Sequence, residues 1–162
     1  MTQTDEELHD EAHCAFVDIT LRLGKRSFNQ QKRALEAWLA KYIPLAEERD
    51  LNEGVLAMRR NAAEWLLHEA VQAKRPARAF EPLLCDIEVL GWESLFQKSL
   101  SIGAMCSYFA DRMWQREGLR YLLPLKREVQ QEYARTGDKM WISILDNVAH
   151  LEKRLRARSR TW

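Results

Sequence analysis

Leucine and alanine supply 40 of the 162 residues, whereas valine and isoleucine together supply 12. Leu and Ala cost little in a helix, while β-branched residues favour strands. The ten glycines and prolines fall mostly between segments of helical apolar spacing. The predicted fold class is therefore all-α: a compact antiparallel bundle of six or seven helices, in one domain spanning 1–162. Amphipathic helices of this kind bury their apolar stripes against one another, and short connections make neighbours antiparallel.

The helices can be placed from their punctuation. A first helix is expected at about 5–23, opened by the capping box of Thr4 and Glu7 and closed by Gly24. Ser27 and Gln30 repeat the start signal for a second helix at 28–43, which Pro44 should end or kink. Asp50 and Glu53 form a third box, opening a helix at 51–74. Pro82 suits the first turn of a short helix at 82–90, ended by Gly91. A long helix at 92–116 follows, weakened in its middle by Ser99, Ser101 and Gly103. The next, at 119–136, contains Pro124, as a kink or as its true first turn, and closes at Gly137. Asp138 caps the last helix, 139–157, whose stripe of Trp141, Ile144, Leu145, Val148, Leu151 and Leu155 is the clearest in the chain. A basic tail occupies 156–162.

Trp38, Trp65 and Trp92 are spaced by 27 residues, as are Trp114 and Trp141, but the flanking punctuation does not repeat. In the segment 137–155, Gly137 and Asp138 precede Leu145, Asp146, Asn147, Val148, Ala149, His150 and Leu151. That order resembles the junction between two tetratricopeptide-type helices. The resemblance implies a helical-hairpin arrangement in the C-terminal half. Arg127 and Gln131 depart from it, standing where the pattern has small and aromatic residues.

Bulk properties narrow the function. The net charge of +1 conceals an acidic front: Asp5, Glu6, Glu7, Asp10, Glu11 and Asp18, with no Lys or Arg before residue 19. It also conceals a basic end carrying Lys153, Arg154, Arg156, Arg158 and Arg160. Three widely spaced cysteines, Cys14, Cys85 and Cys106, fit reduced thiols rather than a disulfide framework. Cys85 and Cys106 lie among apolar neighbours and are expected in the core. The acidic N-terminus does not read as a signal peptide, and no stretch approaches the ~18 apolar residues of a membrane span. The expected location is cytoplasmic, without membrane attachment.

No cofactor is implied. The chain lacks a glycine-rich phosphate loop, a Gly-x-Ser-x-Gly turn and a cysteine-centred catalytic signature. His9 and His13, four apart on one helix, are half of a zinc site and define a metal-binding alternative. Basic pairs such as Lys32 with Arg33 and Arg59 with Arg60 are spread along the chain. Nucleic-acid binding needs such charge gathered on one surface, so it stands as a second alternative.

Protein binding is the remaining class, because tryptophan and arginine are enriched at interaction hot spots. The candidate partner-binding residues are Trp92, Arg112, Trp114, Arg116, Arg156, Arg158, Arg160 and Trp162, with Arg112 and Arg116 sharing a helix face. The expected function is that of a non-enzymatic stoichiometric module: a bacterial-type immunity protein or antitoxin, a secretion chaperone, or an adaptor. It would occlude another protein, such as a toxin or secreted effector, and be a monomer or homodimer itself.

Overall fold

The computed structural model describes residues 2–21 and 27–157, which form seven α-helices, one 3-10 turn and no strand. The helices are α1 (Asp5–Leu21), α2 (Phe28–Glu48), α3 (Asn52–Gln72), α4 (Phe80–Leu90), α5 (Leu95–Asp111), α6 (Gln115–Thr136) and α7 (Met140–Ala157), with the 3-10 turn at Ala77–Ala79. The expected all-α class is the observed one. Gly24 and the end of the first predicted helix lie outside the described residues. Among the described residues no helix is long and apolar enough to cross a membrane. The chain divides into two compact units: Met1–Ala73 with Pro82–Gly91, and Lys74–Glu81 with Trp92–Trp162.

Two start signals work as the sequence implies. The Thr4 amide donates to Glu7 Oε2 at 2.9 Å, and the Glu7 amide donates to Thr4 Oγ1 at 3.1 Å. Ser27 and Gln30 exchange the same pair of bonds at 3.0 and 3.2 Å. The third box fails. Asp50 lies in the left-handed region, at φ 55°, and Leu51 precedes α3 without a side-chain cap. The cause is upstream: α2 does not stop at Pro44 but continues to Glu48, so only residues 49–51 remain to turn the chain. A mid-helix proline costs about 3 kcal/mol. Burial of Tyr42 and Ala46 on either side of it offsets that cost, because burying a large apolar side chain returns about 1.5–3 kcal/mol.

The predicted helix at 92–116 is also corrected. The Ser94 hydroxyl accepts from the Gln97 amide at 3.0 Å, so α5 begins at Leu95. Ser99 does not break it; its hydroxyl donates back to the Leu95 carbonyl at 2.7 Å. The helix ends at Asp111, and Met113 takes φ 62° to reverse the chain. Trp114 then opens α6, which runs through Pro124 because Leu122, Leu125 and Val129 are all buried along it.

In the first unit, Leu8 and Ala12 of α1 pack with Leu35, Trp38 and Tyr42 of α2 and Ala62 of α3. The Trp38 indole N–H donates to the Ala12 carbonyl at 2.9 Å. Asp5, at the start of α1, pairs with Arg49, just past the end of α2, at 3.2 Å, so the two helices are antiparallel. Arg60 of α3 donates to the carbonyl of Gly91, which closes α4, at 2.8 Å. Gln31 occupies the next position along the buried stripe of α2. It has no exposed surface, and among the described residues neither polar atom of its amide has a hydrogen-bond partner.

In the second unit, Lys98 of α5 meets Glu128 of α6 at 2.8 Å, and Cys106 Sγ meets the Gly118 carbonyl at 3.5 Å. These pairs make α5 and α6 antiparallel. Lys126 of α6 pairs with Glu152 of α7 at 3.3 Å, and Gly118 faces Leu155, so α6 and α7 are antiparallel too. The 137–139 turn thus joins a helical hairpin, with Gly137 in the left-handed conformation at φ 66°. Gly118 is required by proximity: a Cβ there would lie 2.6 Å from Leu155 Cδ2.

Two outcomes follow for stability. Gly118→Ala should destabilise the protein by about 1 kcal/mol, since overpacking outweighs the gain in helix propensity. In a Leu155→Ala background the same substitution should stabilise; a double-mutant cycle by urea unfolding reads the change of sign. Gln31→Leu should raise stability by about 1–3 kcal/mol, measured from the urea midpoint, because it removes buried polar atoms that have no partner.

Candidate functional site

The turn between α5 and α6 sits on an aromatic platform. Phe109 has no exposed surface, and its ring meets Phe80 edge-on at 5.1 Å and Trp114 at 5.6 Å. Trp114 also packs edge-on against Tyr108 at 5.5 Å. The Tyr108 hydroxyl donates to the Arg75 carbonyl at 2.6 Å, which fixes that side of the cluster. Edge-to-face pairs of this kind add about 0.5–1.5 kcal/mol each beyond burial.

On this platform stands a basic, apolar tip. Arg112 holds its guanidinium 5.3 Å from the centre of the Trp114 ring, a cation–π distance. Met113 between them is 69 % exposed. Arg116 is exposed in the first turn of α6. Arg120, one turn further, lies 5.5 Å over Tyr121 and pairs with Glu81 at 3.2 Å. The end of α7 arrives at the same end of the unit. Arg154 bonds both Ser107 and Asp111 of α5, and Arg156 reaches Glu152 at 3.7 Å.

The structure therefore brings Arg112, Trp114, Arg116 and Arg156 to one end of the second unit, by a different route from the predicted one. Arg112 and Arg116 do not share a helix face. Arg112 caps α5 and Arg116 belongs to α6, because the chain reverses between them. Trp92 is half-buried, ahead of the Ser94 cap, and is not part of the tip. Arg158, Arg160 and Trp162 lie outside the described residues. Sequence reasoning missed Met113 as a tip residue and Arg154 as its brace. A left-handed methionine leaves no mark in a sequence, since glycine is the usual signal for that conformation.

His9 and His13 are exposed on α1 with their rings stacked, centres 6.3 Å apart. Among the described residues no group of three or more His, Cys, Asp or Glu side chains could hold a metal ion. The two imidazoles instead edge an apolar cleft of about 110 Å³ in the first unit, floored by Trp38 and Tyr42. A second groove, of about 320 Å³, runs between α5 and α7 past Leu100, Gly103 and Ile144.

Of the cysteines, Cys106 is buried as expected, but Cys85 is exposed, which corrects its core placement. It falls on the outer side of α4, whose inner side carries Leu83, Leu84 and Ile87. Burial pushes the Cys106 thiol up from 9.0 to about 12. A thiol held neutral in this way is a poor nucleophile.

No family model matches the chain, and no curated protein or solved structure shows significant similarity to it.

Cys106 makes a pH prediction. The folded state keeps its proton where the unfolded chain has lost it, so the stabilisation is complete below pH 9.0 and disappears as pH rises to about 12. Across that window the wild type should lose about 1.4 kcal/mol per pH unit more than Cys106→Ala, measured by urea unfolding at each pH. In native protein, Cys14 and Cys85 should react with a disulfide reagent and Cys106 should not.

Proposed function

We propose that this chain is a non-enzymatic protein-binding module. It acts stoichiometrically, in the manner of an immunity protein, antitoxin, chaperone or adaptor, and uses the Arg112, Met113 and Arg116 tip to cover an acidic surface of its partner. The observation that carries this reading is Met113: an exposed apolar side chain in a left-handed conformation, between a stacked arginine and a braced tryptophan. A left-handed non-glycine residue costs about 1–2 kcal/mol, and such strain concentrates at functional sites. Rigid aromatic support reduces the ordering cost of binding, and the arginines steer an acidic partner into place.

The test separates binding from stability. Met113→Gly should stabilise the fold by about 1 kcal/mol while removing the apolar anchor. Arg112→Glu combined with Arg116→Glu should leave the melting temperature within a few degrees. Native affinity capture with wild-type protein should recover a protein partner at equimolar ratio, and each variant should retain about tenfold less. Failure to recover any protein, or equal recovery by all variants, would sink the proposal. Capture abolished by nuclease would assign the arginines to phosphate binding instead.

A further inference from the structure

The apolar cleft of the first unit has the geometry of a missing helix. Its walls are α1, through Leu8, Ala12 and Phe16, and α3, through Gly54, Ala57 and Met58; α2 supplies the floor. Trp38, Tyr42 and Ala46 lie along that floor at successive turns, so the cleft is about 12 Å long, which is two turns of helix. The α3 wall is low, because Gly54 and Ala57 are exposed and present almost no side chain. Small residues there let a helix backbone approach closely.

The volume sets the anchor. About 110 Å³ is somewhat less than the ~150 Å³ of a cavity that holds one benzene ring, so one leucine-sized side chain fills it. The charge sets the flanks. Glu6 and Asp10 stand one turn before the cleft-lining His9 and His13 on α1, and Glu53 stands one turn before the cleft-lining Ala57 on α3. All three are exposed. Helix α1 contains six acidic residues and no Lys or Arg. Arg49 is engaged with Asp5, Arg60 with the Gly91 carbonyl, and Lys41 with the Tyr42 ring, its Nζ 5.1 Å from the ring centre.

We propose that this cleft receives one basic amphipathic helix of a partner protein. Its large apolar residue inserts over Trp38 and Tyr42, and its Lys or Arg residues face Glu6, Asp10 and Glu53. The mode is helix-in-groove recognition, with one apolar anchor supplying affinity and flanking charge selecting the partner. The site belongs to the first unit and is independent of the Met113 tip.

The probes are three synthetic helical peptides. One has a single leucine flanked by lysines; the second replaces the lysines with glutamates, and the third replaces the leucine with alanine. Titration calorimetry and amide chemical shifts on the full chain read the binding. The lysine–leucine peptide should bind and shift the amides of Ala12, Gly54 and Ala57, while each control binds at least about tenfold more weakly. Gly54→Phe should block the cleft and weaken binding about tenfold. A side chain is tolerated there, since a Cβ would meet only Leu51 Cβ, at 3.8 Å. Gly54→Ala should keep both fold and binding. Equal binding of the glutamate peptide, indifference to Gly54→Phe, shifts confined to α7, or no binding at all would overturn the proposal. Phenol shifting the cleft amides where the peptide does not would also overturn it, in favour of a small-molecule pocket.

Discussion

Phe109 is the constraint around which the second unit is organised. Its ring is surrounded by Phe80, Tyr108, Trp114 and Tyr121, with centres between 5.1 and 6.4 Å away. Phe80 opens α4, Tyr108 belongs to α5, and Trp114 and Tyr121 belong to the cap and body of α6. The cluster therefore sets where the chain must reverse, and residues 112–114 are what remains to do it. The strained conformation of Met113 is a consequence of that geometry. Packed aromatic rings are stiff, so the arginines and methionine above them are displayed on a rigid base rather than on a loose loop.

Opposite charge is segregated along the chain, and the near-neutral total hides it. Helix α1, which carries six acidic residues, forms one wall of an apolar cleft, whereas Arg112 and Arg116 stand at the tip of the second unit. Exposed ion pairs within either unit contribute little to stability. The charge arrangement bears on which molecules approach, and the buried stripes bear on whether the chain folds.

The architecture was legible because periodicity and capping are local. Thr4 with Glu7, Ser27 with Gln30, Gly91 and Gly137 all act as their chemistry implies. The stripe of α7 is buried at Trp141, Ile144, Val148, Leu151 and Leu155. What was not legible depends on contacts distant in sequence. Pro44 read as an end or a kink and Pro124 as a kink or a first turn, but packing around them carries each helix through. Asp50, Lys74 and Met113 turn the chain with left-handed backbones where no glycine announces it. The candidate tip was half legible: its arginines and tryptophan were visible as residue types, and the reversal that assembles them was not.

The two helices that run through proline carry a further implication. Each lacks one interior backbone hydrogen bond, four residues from the end of α2 and near the centre of α6, so each persists there only while its apolar side is packed. Loosening the interior would release the coil on both sides of the ring. A swollen, acid-type intermediate that keeps helical content after losing side-chain order is therefore disfavoured for this chain. Secondary and tertiary structure should melt together, and the cooperativity of each unit is built into its proline positions.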